Sequence, residues 1–138
     1  MSGSGMQALR DLGTLLARMQ PELNPGRYAF VTLPHGIVLD PSQVVATVRE
    51  REGLSAIVPE HIAEASGLPV AFVAAWITLA VHSDLAAVGL TTAVSGALAQ
   101  AGIGCNVVAG VHHDHLFVPV DQAQQAMDAL GALSREAR

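Results

Sequence analysis

The densest group of side chains able to do chemistry is His112-His113-Asp114-His115. Imidazoles and a carboxylate suit zinc or nickel. On a strand His113 and His115 face the same side, with His82 as a third ligand from a neighbouring strand. No HExxH or comparable spacing accompanies them, and histidines adjacent in sequence rarely converge on one ion. The plainer reading is a polar hairpin turn with one or two hydrogen-bonded histidines, and metal binding stands as the alternative. Cys105 is the only cysteine, which excludes an intramolecular disulfide and a CxxC zinc site. A Cys–His couple would suggest nucleophilic catalysis. Cys105 and Asn106 alternate faces, however, so the thiol is expected in the core as a small apolar group. Asn106 lies among apolar residues, so it must be hydrogen-bonded if buried, holding a loop or reaching a ligand. A second constellation is the stretch from Ser83 to Leu90, with a hydroxyl, a carboxylate and a glycine before an apolar helical pattern. Free backbone N–H groups at a helix start suit a carboxylate, the helix dipole adds a favourable field, and Gly89 lets the backbone approach closely. An Asp such as Asp114 suits an ammonium. The bland reading is that Ser83 and Asp84 only cap the helix and Gly89 only permits close packing.

The elements that must position these groups follow from periodicity. Leu9, Leu12, Leu15, Leu16 and Met19 recur at spacings of three and four, predicting an amphipathic helix over Met6–Met19. Gln20-Pro21 stops it, and Pro25-Gly26 predicts a turn. Strands are expected at Arg27–Leu33, Val44–Glu50 and Leu54–Val58, the last two joined by a tight turn at Arg51-Glu52-Gly53. Pro59 opens a short helix that ends at Gly67. Val70–His82 alternates from Trp76 onward but is long for one strand. Its excess length suggests that it closes one sheet with its early residues and opens a second with its later ones. Ser83 or Asp84 is expected to cap the next helix, whose buried stripe is Leu90, Val94, Ala97, Leu98 and Ala101, with Gly102 as its stop. Ile103–Ala109 and His115–Val120 read as a hairpin. Asp121 caps a last helix carrying Ala123, Ala126, Met127, Leu130 and Leu133.

Composition narrows the function classes. The chain has 138 residues, 51% apolar and only 4% aromatic, so its interior is built from Ala, Val, Leu and Ile. Such a core packs closely and leaves little room for a large internal cofactor, and none is expected. The formal charge is −5, the basic residues are all Arg, and no basic stripe alternates with aromatics. A nucleic-acid role therefore has little support. The lone thiol fits a reducing compartment, and Met1–Gln7 shows no signal-peptide pattern. The longest apolar stretch, Leu68–Val81, is broken by Pro69 and Thr78 and is too short for a bilayer. A soluble cytoplasmic protein without membrane contact is expected.

The run His82-Ser83-Asp84-Leu85-Ala86-Ala87-Val88-Gly89-Leu90, followed by Ala97-Leu98-Ala99-Gln100-Ala101-Gly102-Ile103, resembles the strand–loop–helix–strand core of ACT domains. The tail Asn106-Val107-Val108-Ala109-Gly110-Val111-His112-His113-Asp114-His115-Leu116-Phe117-Val118-Pro119 strengthens the match. The chain resembles small bacterial proteins with two ACT-like units in tandem and, more distantly, the ACT domains of aspartate kinases and of eukaryotic arginine sensors. The motif-bearing part covers roughly Trp76–Leu133. The first half matches loosely, through Met19-Gln20-Pro21-Glu22-Leu23 and Arg49-Glu50-Arg51-Glu52-Gly53.

The resemblance implies an α+β fold with ferredoxin-like, ACT-type antiparallel sheets and helices on one face. Two ACT-like units are expected in tandem, the first with its leading helix over 1–69 and the second over 70–138. It also implies binding of a small amino acid at an interface between units, by the loop after the first strand and an opposite strand. The implied ligand-binding set is His82, Ser83, Asp84, Leu85, Val88, Gly89, Leu90, Asn106, Val107, His113 and Asp114, with Asp114 at the acidic turn position of the aspartate-kinase type. His112-His113 departs from that type, which more often carries small or hydroxyl residues there, and this puts the ligand's identity in doubt. The expected role is a regulatory or sensor protein without catalysis, acting as a homodimer or on a regulated protein partner. The alternatives are a metal-dependent enzyme or metal-binding protein using His112–His115, and a purely structural dimerisation module.

Overall fold

The computed structural model describes residues 11–81 and 88–138. The predicted helix over Met6–Met19 starts outside this range, and its described part is α1 (Leu12–Arg18), where the Asp11 carboxylate accepts from the Thr14 backbone N–H at 2.9 Å. Then follow β1 (Pro21–Leu33), β2 (Ala46–Glu50), β3 (Gly53–Pro59), α2 (Glu60–Ala65), β4 (Phe72–Leu79), α3 (Leu90–Gln100), β5 (Asn106–Ala109), β6 (Asp114–Pro119) and α4 (Ala123–Glu136). The strands form one six-stranded sheet in the order β2-β3-β1-β4-β6-β5, antiparallel at every pairing.

Strand sharing is real but is carried differently from the sequence expectation. The long strand is β1, with 13 residues, whereas Val70–His82 contributes the 8-residue β4. Pro25-Gly26 makes a bulge within β1 instead of a turn that ends it. Before the bulge Pro21–Asn24 pairs with Leu79–Trp76, and after it Tyr28–Phe30 pairs with Ala74–Phe72. Gly26 sits at φ 102°, where a side chain is strained, and the Tyr28 hydroxyl donates to the Pro25 carbonyl at 2.7 Å. The two strands β1 and β4 thus form the centre of the sheet, and each half of the fold completes its four strands by using both.

Alternation along the strands sorts side chains onto two faces. On one, Ala75, Ile77 and Leu79 of β4 meet Leu116 and Val118 of β6 under Leu15, Leu90, Val94, Leu98, Ala126 and Leu130 of the helices. Leu90, Val94, Leu98, Ile77, Leu79 and Val81 therefore share one core, as their periodicities predict. On the same face Ala29, Val31, Ala56 and Val58 pack against Ala63 of α2. All four described helices lie on this side.

Two capping expectations fail. The N-cap of α3 is Gly89, so the cap position belongs neither to Ser83 nor to Asp84. Asp121 lies in a 3-10 turn, Val120–Gln122, that precedes α4, and the N-cap there is Gln122 without a side-chain cap.

Candidate functional site

Of the eleven residues in the implied set, Val88, Gly89, Leu90, His113 and Asp114 lie around the C-terminal end of β4. His82, Ser83, Asp84 and Leu85 lie outside the described residues, so the site is built from what borders them. Asp114 opens β6 and pairs with Leu79 on one side and Ala109 on the other. It is partly buried and alternates in phase with Leu116 and Val118, so it faces the helix layer. The chain leaves α3 to begin β5 at Asn106, opposite Phe117. The start of α3 therefore lies at Asp114's end of the sheet, where Leu79, Val81 and Leu90 share the core. His113 stands at the same corner, its Nδ1 3.4 Å from the Val81 carbonyl. A carbonyl only accepts, so this contact uses the Nδ1–H tautomer.

Gly89 has φ 100°, and a Cβ added there would stand 3.1 Å from Leu12 Cδ2 of α1. The glycine is thus demanded by backbone conformation, and a side chain there would also crowd the end of Leu12. Leu90 is 4% exposed and fills the core, so it can present only its backbone N–H. The first N–H groups of a helix have no partner inside it, and Gly89 at the N-cap has no side chain with which to cap them. Thr91 and Thr92 follow, both exposed. Neither belongs to the implied set, although two hydroxyls in the first turn of a helix are a recognisable signal. Val88 is 82% exposed at the edge of this corner.

Two predicted members stand apart. Val107 packs against the helix-side core. Asn106 lies three residues from Ala109 along β5, roughly 10 Å away at strand rise, and on the opposite face, in line with Phe117. Asn106 thus belongs to a different part of the molecule from Asp114.

The histidine cluster splits. Among the described residues no group of three His, Cys, Asp or Glu could hold a metal ion. His115 points to the helix-free face. The Trp76 indole N–H donates to its Nδ1 at 3.0 Å, and since that indole is only a donor, His115 Nδ1 carries a lone pair. Thr78 Oγ1 lies 3.2 Å from the same nitrogen and accepts from Asn24 Nδ2 at 2.9 Å. Burial pushes the His115 pKa below its ordinary value of 6.5, His113 adds to this, and Asp114 opposes it. The folded state therefore takes up a proton less readily than the unfolded chain. This contribution to stability is present above about pH 6.5 and is lost as the pH falls through the folded value. His115→Gln, which keeps an acceptor but does not titrate, should flatten the fall in melting temperature between about pH 7 and pH 5. An unchanged slope would dissociate His115 from the acid sensitivity. Cys105 is half-buried against the helix-side core, and burial raises its pKa, holding it as a thiol.

Both halves of the chain match family models described as ACT domain, over residues 7–75 and over residues 72–132. The chain belongs to the ACT-domain family. Its two ACT domains overlap at β4, the strand both halves use. A solved protein of unknown function from Vibrio cholerae, described as a possible transport protein, is 41% identical, with a TM-score of 0.77 over 95% of this chain and 99% of that one. A protein from Agrobacterium tumefaciens shares 21% identity, with a TM-score of 0.63 over 85% of this chain and 90% of its own. The ligand-free regulatory subunit of aspartate kinase from Thermus thermophilus shares the fold at 11% identity, with a TM-score of 0.60 over 82% of this chain and 95% of that one. No curated protein matches the chain at a significant level. The resemblance read from the motif-bearing residues is thereby confirmed at the level of family and tandem ferredoxin-like fold. No described helix is long and apolar enough to cross a membrane.

Proposed function

We propose that this tandem ACT protein is a cytoplasmic regulatory or sensor protein that binds a small amino acid and carries out no catalysis. The observation that carries the reading is the corner where the Asp114 carboxylate, at the start of β6, and the first N–H groups of α3 occupy the same end of the sheet. A zwitterion offers a carboxylate and an ammonium a few ångströms apart. The helix start suits the first and Asp114 the second. Val88, Gly89 and Leu90 supply the backbone of the corner and His113 its second wall. A regulatory role without chemistry agrees with a Cys105 kept as a thiol against the core. The aspartate-kinase regulatory subunit, similar in fold, is regulatory by description.

A thermal-shift screen against the twenty common amino acids tests this. A ligand that binds only the folded state stabilises it by mass action, by about 2.7 kcal/mol at a hundred times Kd. One or a few amino acids should raise the melting temperature. A screen in which none does so would leave the structural dimerisation module as the better reading. The protein is further proposed to act as a homodimer, with a regulated protein as its downstream partner. Light scattering at high concentration should return twice the 14.3 kDa chain mass, and a strictly monomeric mass would defeat the dimer.

A further inference from the structure

The helix-free face of the sheet collects the chain's whole aromatic complement: its three Phe, its one Tyr and its one Trp. These rings brace one another. Phe30 meets Phe72 and Phe117 edge-on with centroids 5.5 and 5.6 Å apart, and Tyr28 meets Trp76 at 5.2 Å. Trp76 stacks near Phe117 at 6.1 Å. Curling of the sheet around this floor brings its two edge strands, β2 and β5, to the sides of one cleft of about 350 Å³. Phe30 and Ile57 form the bottom, Ala46 and Val48 one wall, Asn106 and Val108 the other. A smaller hollow of about 200 Å³ shares Ala46 and Val108 and continues beneath to Trp76 and His115.

We infer that this cleft is a second ligand site, separate from the amino-acid corner, for a small uncharged molecule. Its ligand class is a single aromatic ring or short branched aliphatic chain bearing one hydroxyl or amide. The volume falls at the lower end of the range for small-molecule pockets, and a floor held by edge-to-face ring contacts is pre-organised. None of the cleft's own lining residues is ionisable, and burial keeps His115 of the hollow beneath neutral at pH 7, so an anionic or zwitterionic ligand would lose its hydration without gaining a partner. That rules against a zwitterionic amino acid in the cleft. The polar handles are neutral. The Asn106 amide lies at the β5 wall and the Thr32 hydroxyl at the β1 floor, while Ser55 is engaged by Glu50. The apolar face is thus not uniform: it offers an amide and a hydroxyl beside aromatic walls, the pattern that orients a small amphiphile.

Amide-resolved NMR titration of the full chain tests the inference, with benzyl alcohol and 3-methylbutan-1-ol as probes and benzoate and phenylalanine as charged comparators. The alcohols should give saturable shifts at Asn106, Val108 and Ile57, and quench or shift the emission of Trp76, the only tryptophan. Benzoate and phenylalanine should bind there at least about tenfold more weakly. Asn106→Ala should weaken the alcohols about three- to tenfold. Ala46→Phe, which fills the cleft, should abolish binding. Val48→Glu, at a residue already 57% exposed, should do nearly the same by charging the wall without disturbing the fold, and it carries the test alone if the filled variant misfolds. The inference is overturned if neither alcohol saturates by about 10 mM, or if benzoate binds equally well. It is overturned too if Val48→Glu leaves affinity unchanged, or if the cleft resonances move with protein concentration alone, which would assign the cleft to a second copy of the chain.

Discussion

Replacing Val94 with aspartate should abolish the folded protein. Val94 is 0% exposed and lies under α3 in the cluster that holds Ile77, Leu79, Leu98 and Leu130. The substitution removes its packing and inserts a carboxylate with no cation within the cluster. Burying an unpaired carboxyl group costs several kcal/mol, whether it stays ionised or is driven to its neutral form. Total stability for a domain of this size is about 5–15 kcal/mol, so the loss is comparable with all of it. Val94→Ala is the milder comparison, costing about 2 kcal/mol as a cavity. Far-ultraviolet circular dichroism and thermal melting of the purified variants decide the matter. A cooperative melt of Val94→Asp at the wild-type temperature would mean that α3 presents a different face to the sheet.

The largest functional effect is expected at Asp114. For whichever amino acid the thermal screen returns, Asp114→Ala should lower affinity by ten- to a hundredfold, through loss of a charge-assisted hydrogen bond worth about 1.5–3 kcal/mol. Folding should change little, because the residue is only partly buried at the mouth of the β5–β6 hairpin. Calorimetry on the wild type and the variant reads the difference. Equal affinities would remove Asp114 from the site, and a variant that fails to fold would show that its carboxylate supports the hairpin instead.

Much of the molecule was legible locally. The stripe Leu90, Val94, Leu98 and the alternation of Ile77, Leu79 and Val81 are short-range patterns, and burial follows them directly. Family and fold were legible too, because the run from His82 to Ile103 and the tail from Asn106 to Pro119 are contiguous in sequence. Caps were less so: Ser83, Asp84 and Asp121 have the right residue type, but the cap positions are occupied by Gly89 and Gln122. Residue preference for a cap is a tendency of order 1 kcal/mol that chain geometry overrides.

What only the tertiary structure decided are the relations between distant segments. The sequence determined that two ferredoxin-like units would form, but not that β1, interrupted by Pro25-Gly26, would run on as a bulged strand. The bulge survives because Pro21–Asn24 and Tyr28–Phe30 both find partners on β4, 42 or more positions along the chain. Asn106 and Asp114 both belong to the ligand-binding set that the resemblance implies, yet strand alternation and extension put them on opposite faces. The aromatic floor is assembled from Tyr28, Phe30, Phe72, Trp76 and Phe117, which come from three segments far apart in the sequence. Their meeting depends on the register of three strands, and register is set by the sum of pairings across the sheet, which no local window contains.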